Sequence, residues 1–284
     1  MAQSLRQVRS RVKSVEGIMK MTRAMEMVAA AKLSSLKDNL HRNRQYFSQV
    51  EMVLNNMLAS FKAARHDLIN PRPDKKNILL CLITSDTGLC GNYNGSLLRA
   101  AEAFILNNNK YNLSLITVGR KGFNYFKRQG MPIIDSYTEL YGHYSEAICD
   151  KFARNFIDAF LLRKADEVYV AYMNFVSPSR ISPSVIKILN IEPTGGVATE
   201  YLTEPGIEEI IAEFIPLYIS SKIRAILLSA FTAENSVRVM AMHEATDNAK
   251  EVLDDLILLR NKMRQADITR ELIEVISAAD ALKG

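Results

Sequence analysis

Between residues 217 and 283 the chain has neither glycine nor proline, and between residues 1 and 70 it has no proline and one glycine, Gly17. Glycine weakens a helix and proline breaks one, so long stretches without either can stay helical throughout. Two very long helices, one from each end, are therefore predicted to flank a glycine-punctuated middle. At 1.5 Å per residue the C-terminal one would reach on the order of 100 Å. A helix of that length cannot bury itself in a domain of this size. It needs a partner helix, and the other end of the chain supplies one.

The apolar spacing supports this pairing. Alternate steps of three and four from Leu5 pass through Val8, Val12, Val15, Met19, Thr22, Glu26, Ala29, Leu33, Leu36 and Leu40, and only Thr22 and Glu26 are not apolar. Where they interrupt the seam, Met21, Met25, Met27 and Val28 are expected to widen the apolar face. Near the other end the same steps give Ile219, Ile223, Ile226, Ala230, Ala233, Val237 and Met240, then resume at Val252, Leu256, Leu259, Met263 and Ala266 after a stutter. A period near 3.5 residues indicates a left-handed coiled coil, which a stutter locally unwinds. The two ends are expected to run antiparallel.

Between them, 77–84 is a continuous apolar run that reads as a strand covered on both faces. Helical spacing follows over 94–108, a second buried strand over 113–118 and a short helix over 121–129. A third strand is predicted over 132–136, a longer helix over 144–165, and strands over 167–176 and 185–191. Strands alternating with helices imply an α/β domain with a largely parallel sheet. The predicted organisation is an N-terminal coiled-coil helix over 1–64, a linker over 65–76, the α/β domain over 77–192, a connection over 193–206 and a C-terminal coiled-coil helix over 207–284.

Charge weakens one class of partner. The net charge of +5 and the isoelectric point near 9.0 would suit nucleic acid. However, residues 1–40 carry eight basic and three acidic side chains, whereas 241–284 carry six basic and nine acidic. The two end helices thus attract one another, and a nucleic-acid partner is not expected. Cys81, Cys90 and Cys149 are odd in number and lack metal-ligand spacing, which fits a reducing compartment better than a disulfide framework. His41, His66, His143 and His243 are scattered and are read as structural or surface residues. The longest uncharged stretch near the C-terminus, 225–233, is far short of the ~20 residues that span a bilayer.

Two segments draw chemical attention. The loop over 85–95, SDTGLCGNYNG, follows the first strand, where glycines can cradle a phosphate at a helix N-terminus. Its spacing matches neither GxGxxG nor GxxxxGK[ST], so a tight turn with Asn94 or Asp86 capping the following helix is the better reading. No cofactor, metal or catalytic constellation is expected. The second segment is 268–282, where Ile268, Leu272, Val275, Ile276, Ala279 and Leu282, with their neighbours, leave hardly any polar face. A helix apolar all round must be enclosed, and a surrounding partner explains this tip better than the chain's own domain. Just before it, Arg264, Gln265, Thr269 and Glu271 form a polar collar suited to hydrogen bonds with that partner.

These features meet in one family. The chain closely resembles the γ subunits of F-type ATP synthases over essentially its full length. The resemblance rests on MTRAMEMVAAAKL at 21–33, SDTGLCGNYN at 85–94, and 239–282 with VMAMHEATDNA followed by NKMRQADITRELIEVISAADAL. The ITxE signature is intact at Ile268, Thr269 and Glu271. Ala278 replaces a usual glycine, and Thr87, Asn92 and Tyr93 stand where arginine, glycine and leucine are common. The resemblance implies a Rossmann-like domain flanked by the coiled coil. It implies a non-catalytic rotor, one copy per complex, that passes through an α3β3 hexamer and meets the ε subunit and the c-ring. It places the complex at the cytoplasmic face of a bacterial membrane, with this chain peripheral. It assigns the collar Arg264, Gln265, Thr269 and Glu271 to a β-subunit loop, Met25 and Arg238 to the shaft facing β, and Tyr201 and Glu204 to a foot on the c-ring. A nucleotide-dependent enzyme using the 85–95 loop and a basic nucleic-acid adaptor are the rival readings.

Overall fold

The computed structural model describes residues 4–60, 67–69, 72, 74–143, 145–192 and 207–281. In chain order its elements are α1 (Leu5–Ser60), β1 (Asn77–Ile83), α2 (Tyr93–Asn107), β2 (Asn112–Val118), α3 (Arg120–Arg128), β3 (Ile133–Tyr137), α4 (Glu146–Leu161), β4 (Glu167–Ser177), β5 (Arg180–Leu189) and α5 (Ile207–Ala281). The chain forms two compact units. One comprises residues 30–238, and the other combines 1–29 with 239–284.

The larger unit is built on a five-stranded sheet of order β3-β2-β1-β4-β5. β1 pairs in parallel with β2 and β4, and β2 with β3, while β5 runs antiparallel to β4. The apolar run of β1 is buried from Ile78 to Ile83, as a central strand covered on both faces requires. The last strand begins at Arg180, five residues before the predicted start. Pro183 lies within it, which the position of β5 at the sheet edge allows. α4 begins at Glu146 because the Ser145 hydroxyl accepts from the Ile148 amide and caps it.

Both long helices contribute to this unit. α5 is buried on every side from Ile226 to Ser236. There Ser229 Oγ accepts from the Phe175 amide at 2.9 Å, and the Tyr93 hydroxyl donates to the Ala230 carbonyl at 3.2 Å. Enclosure explains why α5 contains an 18-residue window of mean hydropathy 1.4, of which 67% is buried within the chain. Pro216 also lies inside α5, near its start.

In the smaller unit, α1 and α5 pair antiparallel. Thr246 Oγ1 donates to Thr22 Oγ1 at 2.8 Å, and His243 Nδ1 lies 3.0 Å from Glu26 Oε1. Ascending positions on α1 thus meet descending positions on α5. The α1 seam follows the predicted steps: Val8, Val12 and Ala29 are buried, and Leu5, Val15, Met19, Thr22 and Glu26 are half-buried. Its two polar positions form a hydrogen-bonded layer with α5. The predicted α5 steps hold at Ile219, Ile223, Ile226, Ala230 and Ala233, which are buried, and at Leu256 and Met263, but not at every position. Met242 and Leu253 are buried and Thr246, Ala249, Leu256 and Met263 half-buried, whereas Met240, Val252, Leu259 and Ala266 face outward. Val252 and Leu253 are equally apolar, so hydrophobicity alone did not fix which of the two turns inward.

Candidate functional site

The most exposed apolar surface belongs to the smaller unit. Along α5, Ile268, Leu272, Ile273, Val275 and Ile276 are 48–66% exposed. Ala278 and Ala279 are exposed among them. On α1, Met21, Met25, Met27 and Val28 are likewise exposed, outside the buried seam they were expected to widen, and so is Ile18. Contiguous apolar surface of this kind marks an interaction site. The sequence-predicted bearing residues Ile268, Leu272, Val275, Ile276 and Ala279 therefore share one outward-facing stretch of helix. Leu282 lies outside the described residues.

The collar residues sit at the start of that stretch. Thr269 Oγ1 bonds only back to its own helix, to the Gln265 carbonyl at 2.9 Å. Arg264, Gln265 and Glu271 are exposed, and their side chains have no hydrogen bond or ion pair among the described residues. Three polar side chains and a ring of aliphatic ones are thus left free on the same two to three helical turns. Such a surface offers directional contacts beside a smooth apolar one.

The loop at the end of β1 has a different use. Asn94 Oδ1 accepts from the Ser85 amide at 3.1 Å, and its Nδ2 donates to Ser85 Oγ at 2.7 Å. No side chain caps α2, contrary to expectation. Asp86 instead accepts from three distant backbone amides, those of Arg120 at 3.1 Å, Glu139 at 2.9 Å and Tyr141 at 2.9 Å. Its carboxylate is committed to the fold. Gly119, at φ 89°, marks a close approach of two backbones: a Cβ there would lie 2.2 Å from the Thr84 carbonyl oxygen.

Arg238 is held by the same loop. Its Nη2 lies 2.6 Å from Glu234 Oε1 and 3.1 Å from Thr87 Oγ1, and the side chain is only 14% exposed. Burial pushes the Glu234 carboxyl above its ordinary range, against the pull of Arg238. Burial likewise raises the Cys90 thiol beneath the loop. Sequence reasoning missed this clasp, since its halves lie some 150 residues apart. The structure therefore leaves Met25 outward-facing on the smaller unit and turns Arg238 inward within the larger one. Tyr201 and Glu204 lie outside the described residues. Among the described residues no cluster of His, Cys, Asp or Glu is arranged to hold a metal ion.

The family model for ATP synthase matches residues 4–282. The ATP synthase gamma chain of Alkaliphilus metalliredigens is 35% identical over all of both chains. That of Desulforamulus reducens is 36% identical over 99% of each. Among solved structures, a rotor chain of the Euglena gracilis mitochondrial ATP synthase superimposes with a TM-score of 0.67 over 93% of this chain and 98% of its own, at 14% identity. A central-stalk/c-ring structure of the Tetrahymena thermophila enzyme gives 0.63 over 79% and 99%, at 24% identity.

Proposed function

The chain belongs to the ATP synthase gamma-chain family, and from that premise we propose how its surfaces serve a rotor. It is the central-stalk rotor subunit of an F-type ATP synthase, coupling ion flow through the c-ring to ATP synthesis and hydrolysis on the α3β3 hexamer by rotation. We assign catalysis to the hexamer and none to this chain. The exposed apolar stretch of α5 carries the reading: a free protein has no use for Ile268, Leu272, Val275 and Ile276 in water, whereas a sleeve of surrounding subunits removes them from it.

The paired helices present a different face to each of three chemically identical β subunits. Each β subunit then has its own free-energy difference between open and closed forms, and turning the pair exchanges those differences. Small side chains at Ala278 and Ala279 keep the bearing shallow, and Leu282 extends it. Arg264, Gln265, Thr269 and Glu271 supply the angular preference that a smooth bearing lacks, and Met25 adds an apolar contact on α1. Arg238 acts by fixing α5 to the 85–95 loop and so bears on β indirectly.

The foot on the c-ring is assigned to Tyr201 and Glu204, and a further contact to the ε subunit. We divide the chain functionally into a shaft from 1–64 and 207–284, and a base from 77–192 reached through 65–76 and 193–206. The complex is membrane-associated, and we place this chain peripherally at the cytoplasmic face of a bacterial membrane.

The test is rotation. The full chain, assembled with its α3β3 hexamer and carrying a bead on an exposed residue of α3, is expected to turn in one direction when ATP is supplied. ATP hydrolysis by an intact assembly with a stationary bead would refute the assignment.

A further inference from the structure

The helix pair of the smaller unit is joined in its middle by polar contacts. On α1 the seam from Val15 through Met19 and Thr22 to Glu26 is only half-buried. A cavity of ≈ 530 Å³ opens beside it, lined by both helices. The opposite net charges of the two ends would place bases on α1 against acids on α5. Among the described residues of this unit, the one ion pair between the helices runs the other way, with Glu26 on α1 and His243 on α5.

His243 stands between two carboxylates. Its Nδ1 is 3.0 Å from Glu26 Oε1, and its Nε2 is 3.5 Å from Asp247 Oδ2, one turn along α5. Both ring nitrogens thus face acceptors. A neutral imidazole carries one N–H, so its other nitrogen turns a lone pair towards a carboxylate, whereas the imidazolium donates on both sides. Arg23 from α1 and Lys250 and Asp254 from α5 line the same cavity. With Glu26 and Asp247, three carboxylates and two fixed cations surround the ring. No third element packs against it, because the described part of this unit consists of α1 and α5 alone.

We propose that His243 is a pH-sensitive clasp on the helix pair. As the imidazolium it ties Glu26 of α1 to Asp247 of α5 across the cavity. Without its proton it keeps one contact and sets a lone pair against the other carboxylate, and the middle of the pair opens more often. Imidazole is the side chain whose ordinary change of charge falls between about pH 5 and 8. Neither 15–29 nor 240–250 contains a second histidine. The clasp is a property of the chain itself and does not rest on the rotor assignment.

The test is amide hydrogen exchange of the full chain, read by mass spectrometry at pH ~5.5 and ~8 and corrected for the intrinsic effect of pH on exchange. In the wild type, 15–29 and 240–250 are expected to lose ~1.5- to 5-fold in protection at the higher pH, the range that an exposed ion pair gives. α2, in the larger unit, should not change. His243 is exposed, so substituting it leaves the buried seam in place. His243→Gln should be weakly protected at both pH values, and His243→Lys, charged throughout, well protected at both. Wild-type protection that does not depend on pH, or the same loss in His243→Gln, would overturn the proposal. So would a His243→Lys chain no better protected than His243→Gln.

Discussion

Replacing Leu272 and Ile276 by alanine separates stability of the chain from affinity for its surroundings. The two side chains are 57% and 59% exposed, so in the lone chain more than half of each remains in water. Exposed substitutions without special contacts change stability by only about 0.5 kcal/mol or less, and alanine is the better helix former. Urea denaturation of the lone variant should therefore be superimposable on that of the wild type. The proposed sleeve of surrounding subunits would bury the exposed fraction. Full burial of such a side chain contributes about 1.5–3 kcal/mol, so burying the remaining half or more of two, less what alanine retains, amounts to about 1.5–2.5 kcal/mol. That corresponds to a roughly 10- to 70-fold weaker association with the hexamer, since each 1.4 kcal/mol is about tenfold. The assay is competition between wild-type and variant chains for a limiting hexamer, measured by mass spectrometry of the recovered complex. A lone chain destabilised by more than about 1 kcal/mol would mean these residues already pack within the chain. Equal competition would mean that nothing encloses them.

Other outcomes follow from the same structure. The paired variant Arg264→Ala and Glu271→Ala should leave denaturation of the lone chain unchanged while ATP hydrolysis loses its coupling to ion pumping; exposed pairs contribute only ~0–1 kcal/mol, so a large loss implies a contact that is desolvated in the complex. Gly119→Ala should prevent soluble expression or cost at least ~3 kcal/mol, because its Cβ would sit 2.2 Å from the Thr84 carbonyl oxygen at a φ that side chains avoid; a thermal midpoint equal to wild type would refute the close approach. Burial alone would raise the Asp166 carboxyl, yet the Lys76 and Asn77 amides and Arg72 hold it below its ordinary value of 3.8. A depressed folded value means that its contribution is present at neutral pH and lost as the pH falls through and below 3.8. Asp166→Asn should therefore cost ~2–3 kcal/mol at pH 7, with the gap to wild type closing on acidification, as urea midpoints across pH would show.

Much of this architecture was legible because its causes are local. The apolar run of β1 and the three-four steps of α1 each have one reading, and the structure follows them. The α5 seam is different. In the stretch VLDDLILL two apolar stripes lie side by side, and only packing against α1 selects the one through Leu253 and Leu256. The first residues of β5 were left out of the predicted strand, and its pairing with β4 shows them. The Arg238 clasp and the three amides gathered by Asp86 join residues far apart in sequence, and no periodicity reports them. The free collar was readable as a cluster of polar residues ahead of an apolar run, and its lack of partners among the described residues is visible only in the structure.

α5 is treated in opposite ways along its length, and function needs both. From Ile226 to Ser236 it is buried on every side and tied by side-chain bonds to β4 and α2. A helix that transmits torque must not turn within its mounting, and hydrogen bonds resist rotation about the helix axis in a way that apolar packing alone does not, because they are directional. From Ile268 onward the described side chains are exposed and mostly aliphatic, with no directional bond beyond their own helix. Contacts of that kind are non-directional, so their energy changes little with angle and a surrounding sleeve can turn about them. Directional bonds at the mounting, free polar groups at the collar and aliphatic surface at the tip form a graded series. That gradient along one continuous helix is what a driven shaft requires.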